Sequence, residues 1–407
     1  MKCLVIGSVW PEPNSSAAGE NMLTILRGAC QRNWNVEFAC AAQESTHAFN
    51  LDLLGIKQVN IELNNSSFDS FVSESNPDIV IFDRFMTEEQ FGWRVSNCLP
   101  NAVKILNTED LHGLRQQTHL ETKTTKLDST INDVMIREVA SIMRCDKTLV
   151  ITKNELNWLT EYANIKSDLL HYYPLLPHCD GSSSPSFEQR QHVSFIGNFK
   201  HAPNWNAVLT LSRFWPKIRA KLPNVECHIY GAYPPKKATA LTNKKSGFIV
   251  KGWIENADDA FKGYRLSLAP IQFGAGVKGK LIRAITNGTP SVVTPLAIKG
   301  ICIEEQWPGK VTHNDESFID SVISLYNDKL QWEKHHLNTF QLKAKLAKEK
   351  KQHSNFYIET ETLHRNLKSF REKHILSRAF NHQTMRSHQY MSQWIEAKNN
   401  SIDKAQS

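Results

Sequence analysis

Short β-branched runs alternate with amphipathic stretches through the first half of the chain. Residues 3–7, 36–41, 78–83, 103–107 and 148–152 read as strands. Between the last two, the span 130–144 is the clearest helix, with Ile131, Val134, Met135, Val139, Ile142 and Met143 recurring at helical spacing. That stripe reads as core rather than as a cofactor contact. Strands separated by helices predict a parallel sheet covered on both faces. At 172–191, YYPLLPHCDGSSSPSFEQRQ, prolines, a glycine and a serine run interrupt every period, which predicts an interdomain linker. A second alternating set follows, with strands at 193–197, 226–231, 247–251, 266–270 and 291–294 and helices near 204–221 and 277–287. From about residue 330 the pattern is helical, and the last ten residues, KNNSIDKAQS, are expected to fray.

The patterning thus predicts an α/β chain of two doubly wound, Rossmann-like domains, residues 1–175 and 192–345, joined by a linker at 176–191 and followed by helices over 346–407. Such a pair places a ligand cleft at the carboxyl ends of the strands, between the domains. The length of 407 residues agrees, being about two domains' worth of chain. With 41% hydrophobic and 22% charged residues and no apolar run of 18, the chain belongs to the soluble globular class, with no transmembrane helix expected. The opening MKCLVIGSVWPEP suits a buried first strand better than a signal peptide, so a cytoplasmic protein is expected.

Eight scattered cysteines, at 3, 30, 40, 98, 145, 179, 227 and 302, show neither metal nor redox spacing and read as core fillers in a reducing compartment. The sixteen histidines form no ligand pattern, and no metal is assigned. A net charge of +7 does not argue for nucleic acid at this size. Its distribution says more, because lysine and arginine crowd residues 343–378. That run suits a solvated helix face; it also suits peripheral attraction to anionic lipid headgroups, at about 1 kcal/mol per near-surface cation.

The stretch 272–300, QFGAGVKGKLIRAITNGTPSVVTPLAIKG, changes the picture most. Gly274, Ala275 and Gly276 open into a helical segment carrying Lys278 and Lys280 in its expected first turn, and Asn287-Gly288 closes it. Unpaired N–H groups at a helix start favour an anion, glycines let backbone approach it, and lysines add point charge for a diphosphate. The plain alternative is a βα turn with two solvated lysines.

This arrangement resembles the C-terminal domain of glycosyltransferase family 4, the group 1 type, in the GT-B superfamily. FIGNFKHAPNWNAV (195–208) resembles the first strand and helix of that domain, WPEPNSSAAGENML (10–23) the acceptor-side loop, and ILNTEDLHGLR (105–115) an Asp-x-His-x-x-Arg stretch of related sequences. The resemblance implies two domains facing a central cleft, with the last helices crossing back onto the first domain. It departs from the family where two glutamates eight residues apart are common, the second binding the donor ribose: those positions hold Ala275 and Arg283. Arg283 binds a different donor feature, pairs with an acid elsewhere, or marks lost catalysis.

Carried onto this chain, the resemblance implies that Lys278, Lys280 and the helix start at Gly276–Val277 stabilise a departing diphosphate. Gly274, Arg283, Gly197, Asn198, Lys200 and Gly231 join Gly276 and Val277 on the donor side, and Lys251, Gly252 and Trp253 lie near the base pocket. Trp253 also suits a simple sheet-edge cover. Ser16, Gly19 and Glu20 belong to the acceptor side, Ser15 or Ser16 doubling as a helix cap. His112 is expected to touch donor sugar or acceptor with Asp110 as its partner, able to orient a hydroxyl or shuttle a proton near neutral pH; Asp83 and Arg84 are a lesser candidate of the same kind.

The leading expectation is a retaining glycosyltransferase, cytoplasmic or peripheral on the inner face of the membrane. It moves a sugar from a nucleotide-diphosphate sugar to a glycan or lipid-linked acceptor in cell-surface polysaccharide synthesis, without a cofactor. A catalytically silent nucleotide-sugar-binding protein and a nucleotide-sugar epimerase are the alternatives.

Overall fold

The computed structural model describes residues 1–121, 131–176, 184–274, 276–383 and 385–406. Residues 177–183 of the predicted linker, Cys179 among them, and Ala275 therefore lie outside the described residues. The seven cysteines among those described are all free.

Two parallel sheets carry the chain. The first contains β1 Lys2–Gly7, β2 Asn35–Cys40, β3 Lys57–Asn60, β4 Ile79–Asp83, β5 Val103–Asn107, β6 Lys147–Val150 and β7 Leu170–Tyr172, in the order β3-β2-β1-β4-β5-β6-β7. The second contains β8 Gln191–Ile196, β9 Cys227–Tyr230, β10 Phe248–Gly252, β11 Tyr264–Ala269, β12 Ser291–Val293 and β13 Gly309–Val311, in the order β10-β9-β8-β11-β12-β13. The central strands are continuous apolar runs because helices bury both faces; β4 (IVIFD) is buried throughout. Strands β3, β7 and β13 were not anticipated. They are three or four residues long and lie at the sheet edges, where burial on both faces is not demanded and the apolar signal fades.

This is the GT-B architecture. In each sheet the order reverses once, between β1 and β4 and between β8 and β11, and a crevice opens beyond the strands' carboxyl ends at such a reversal. The four loops at these points carry WPEPNSSAAGENML, Asp83-Arg84, FIGNFKHAPN and QFGAGVKGK.

The end of the chain is helical, as expected, and the Met385–Gln406 helix continues through the stretch from Lys398 that was expected to fray. The Lys329–Ala347 helix stays with the second domain, burying Trp332 and Leu342 in its core. The Lys350–Arg365 helix crosses to the first domain, where Phe356, Tyr357 and Leu363 join the core beneath β1 and β2. Tyr357 donates to the Ile25 carbonyl at 2.9 Å, and Arg371 grips the Asp146 carboxylate through two nitrogens at 2.7 Å each. The basic run 343–378 is thus divided among four helices. Among the described residues no helix is long and apolar enough to cross a membrane.

Candidate active site

A cavity of about 600 Å³ lies between the domains, lined from both sides by the switch-point loops. On the second-domain wall the chain bends sharply: Gly274 has φ 120° and Gly276 φ 70°, conformations that a Cβ would strain. A Cβ on Gly276 would also lie 3.0 Å from the Cβ of Asp110 in the opposite domain, so the close approach of the two loops depends on this glycine.

The helix after the loop runs Gly279–Thr286, two residues later than the expected start at Val277. Lys278 is its N-cap residue rather than a first-turn residue, and its ammonium donates back to the carbonyls of Gly276 at 2.8 Å and Gly274 at 3.4 Å. Lys280 points into the cavity, donating to the Asn204 Oδ1 at 2.5 Å with its Nζ 4.3 Å from the centre of the Phe195 ring. Burial pushes both ammonium groups down, Lys278 to about 8 despite Asp110, and Lys280 to about 7 with Lys278 adding to the effect. Among the described residues no carboxylate stands within ion-pair distance of Lys280. A partly discharged pair of lysines with room beside it is what an arriving polyanion recharges.

Gly197, Asn198, Lys200 and Gly231 line the same wall with Gly274, Gly276, Val277 and Arg283. A Cβ at Gly231 would meet the Gly197 carbonyl at 2.0 Å, so the ends of β8 and β9 close up only without side chains there. Lys200 turns to the Tyr233 ring, 3.5 Å from its centre, and Asn198 accepts from the Lys200 backbone. Asn204, which sequence reasoning passed over, holds Lys280 and ties to the Asn198 carbonyl; a Cβ on Gly197 would strike it. Only the fold shows that a helix residue six positions downstream reaches back to the strand end.

Arg283 lines the cavity and is paired. Its Nε donates to Glu20 at 3.2 Å and an Nη to the Pro13 carbonyl at 3.1 Å, so it pairs with an acid across the cleft, one of the roles open to it. Two more contacts close the same rim. Tyr233 donates to Glu12 at 2.8 Å, and the His47 ring stacks on Trp253 with centroids 4.7 Å apart. Trp253 therefore does more than cover a sheet edge: it lines the cavity and meets the first domain.

On the first-domain wall, Ser16 caps the Ala17–Gln31 helix, its Oγ accepting from Gly19 N at 3.0 Å. Gly19 lets that turn press against the Glu12 backbone, 2.4 Å from where a Cβ would be. Ser15 Oγ and Asn21 Oδ1 are buried without a protein partner among the described residues and belong to residues that line the cavity.

Asp110 accepts from one Arg115 nitrogen at 3.0 and 2.9 Å and stands 3.5 Å from His112 Nε2. The surroundings of His112 set its charge. Burial, reinforced by Arg115 and Arg84 and only partly opposed by Asp110, depresses its imidazole to about 4. At neutral pH it is an uncharged hydrogen-bonding group. The His112–Glu121 helix start is itself capped by Glu138, which accepts from His112 N at 2.6 Å and Gly113 N at 2.8 Å. Arg84 and Glu109, both at positive φ, 71° and 61°, also line the wall. Glu109 accepts from Asn107 at 2.8 Å and Asn21 at 3.2 Å, and burial beside Asp83 pushes it up to about 8, so it is largely protonated at pH 7. No spacing in the sequence marked Glu109; its role depends on a strand end and a helix meeting.

Residues 190–328 match the family model of the group 1 glycosyl transferases. No curated protein matches the chain. Among solved structures, the chain resembles Anabaena HepE in complex with UDP and glucose, at TM-score 0.67 and 11% identity, over 89% of this chain and 100% of that one. It resembles sucrose-phosphate synthase from Thermosynechococcus elongatus at TM-score 0.63 and 11% identity, over 91% and 99%. It also resembles WaaG, a glycosyltransferase involved in lipopolysaccharide biosynthesis, at TM-score 0.62 and 11% identity, over 84% and 95%. At these identities the likeness speaks for the shared fold.

Proposed function

We propose that this chain, a GT-B glycosyltransferase whose second domain is of the group 1 type, moves a sugar from a nucleotide-diphosphate donor to a glycan or lipid-linked acceptor with retention of anomeric configuration. The observation that carries the reading is the pair of buried, partly discharged lysines, Lys278 and Lys280, beside the two left-handed glycines at the floor of an interdomain cavity.

As the bond from the anomeric carbon to the diphosphate breaks, negative charge collects on the leaving oxygens. Lys280 and Lys278 meet that charge in a cavity drier than water, where fixed cations lower the barrier most. Binding draws Lys278 off the carbonyls of Gly274 and Gly276 and onto the phosphate. The acceptor hydroxyl attacks on the face the diphosphate leaves, and its proton passes to a departing phosphate oxygen. A neutral His112 then suffices as a hydrogen-bonding partner, and the reading asks for no cofactor and no metal ion. Cell-surface polysaccharide synthesis in the cytoplasm is the setting that fits such a donor and acceptor.

The silent-binder alternative draws on Arg283, tied to Glu20 at a position where relatives bring a carboxylate. A thermal-shift and turnover screen with UDP- and GDP-sugars separates the two. A melting-temperature rise together with slow release of nucleoside diphosphate supports transfer, a rise without release supports silent binding, and neither response across the panel removes both.

A further inference from the structure

The end of the chain carries a surface that the transfer reading does not use. Ile375, Leu376, Tyr390, Met391 and Trp394, on the helices Ile375–Gln383 and Met385–Gln406, are each between 61 and 69% exposed. Large apolar side chains scattered singly are ordinary on a surface, but five within twenty residues form a patch that expects a cover. Tyr390 and Trp394 stand one helical turn apart, with Met391 beside them. This face cannot roll inward. The opposite side of the same helix is fixed to the first domain: Ser392 is buried, and Glu396 accepts from Ser66 N at 2.9 Å and pairs with Arg94 at 3.5 Å.

Three exposed cations lie on the same two helices. Arg378, Arg386 and Lys398 are exposed, and the Lys398 ammonium lies 5.3 Å from the centre of the Trp394 ring. Beside the Ile375–Gln383 helix a second cavity, of about 330 Å³, opens against the first domain, lined by Arg378, His382, Lys104 and by Asp146, whose carboxylate is held by Arg371. Lys104 is buried, and its ammonium donates to Ser96 Oγ at 2.8 Å and Asn381 Oδ1 at 2.6 Å. Two neutral acceptors leave one of its three N–H groups for an anion. Among the described residues no carboxylate is within ion-pair distance of it.

We propose that this face docks on a bilayer rich in anionic phospholipid, with Trp394, Tyr390 and Met391 at the headgroup level and a lipid phosphate received by the Lys104 cavity. Aromatic side chains with one polar end favour that depth, and basic residues around them supply attraction to the leaflet. A second copy of the chain is the poorer occupant, because a two-fold contact would set Arg378, Arg386 and Lys398 against a surface of the same charge. Docking through this face needs neither donor nor acceptor, so it stands or falls apart from the transfer reaction.

The test is co-sedimentation of the purified full chain with vesicles of phosphatidylcholine alone and with about one-third phosphatidylglycerol. Binding to the anionic vesicles only, weakened at about 0.5 M salt, is expected. Reversing Arg378→Glu and Arg386→Glu should lower partitioning by more than tenfold, since each near-surface cation is worth roughly fivefold. Trp394→Ser with Tyr390→Ser should release the protein, and Lys104→Met should weaken binding to anionic vesicles while leaving any residual binding to neutral ones unchanged. All but Lys104 are exposed positions, so an unchanged melting temperature certifies their folds. Equal binding to both vesicle types, no binding to either, or a dimer in light scattering that Trp394→Ser dissolves would each overturn the proposal.

Discussion

The two walls of the interdomain cavity face one another with opposite electrostatic habits. On the second-domain wall Lys280 is buried beside an amide and an aromatic ring, and Lys278 leans on backbone carbonyls. On the first-domain wall the charges are already matched: Asp110 with Arg115, Glu20 with Arg283, and Glu109 largely protonated between two amides. The second-domain wall, where Lys280 has an amide and an aromatic ring for neighbours, is poised for a diphosphate, while an amide-rich wall with paired charges offers hydrogen bonds to neutral hydroxyls. On the transfer reading proposed above, this asymmetry sets the donor diphosphate against the second-domain wall and the acceptor against the first.

The contrast breaks most directly at Lys280. Lys280→Met should reduce transfer, measured as nucleoside diphosphate release, by about 10²- to 10³-fold, the cost of losing one preorganised group that meets transition-state charge. Stability should hold or rise, because a buried ammonium without an acid partner disappears. A loss under tenfold would remove the lysine from the mechanism.

The pH dependence follows from the same groups. Bound diphosphate favours the charged lysines, so binding takes up protons wherever the free groups are partly neutral. Donor affinity should therefore be full below about pH 7 and decline as pH rises through about 7 and then about 8. Without donor the sign reverses. The folded state binds fewer protons than the unfolded chain between those values and the ordinary lysine value of 10.5, so stability contributed by these groups rises with pH over that range. Calorimetry at pH 6, 7.5 and 9 checks the first statement, and a flat affinity profile would contradict it.

A double-mutant cycle on Arg283→Ala and Glu20→Ala should give a coupling of about 0.5–1 kcal/mol in thermal stability, modest because both side chains are partly exposed. Should Arg283→Glu instead raise turnover, the ion pair acts as a brake on the site and the silent-binder reading gains ground.

The smallest effect is expected at Glu109. Glu109→Gln copies the protonated acid and should leave transfer at pH 7 within about threefold, while removing any step near pH 8. A large loss at pH 7 would mean that the carboxylate form works in the acceptor wall.

Hydrophobic rhythm made the paired α/β domains legible, since buried central strands such as IVIFD must be apolar along their whole length. The glycine loop with its two lysines was equally readable, because a left-handed bend and a cluster of cations are local properties of a few adjacent residues. Other features were settled by tertiary structure. The edge strands β3, β7 and β13 carry too little burial to write a pattern. Arg283 alone admits several roles, and only the approach of Glu20 from a segment more than 260 positions away selects one. The neutrality of His112 and Glu109 likewise comes from desolvation and neighbouring charges contributed by separate elements. A sequence records which groups are present and how they recur; the distances that set their charge exist only once the chain has folded.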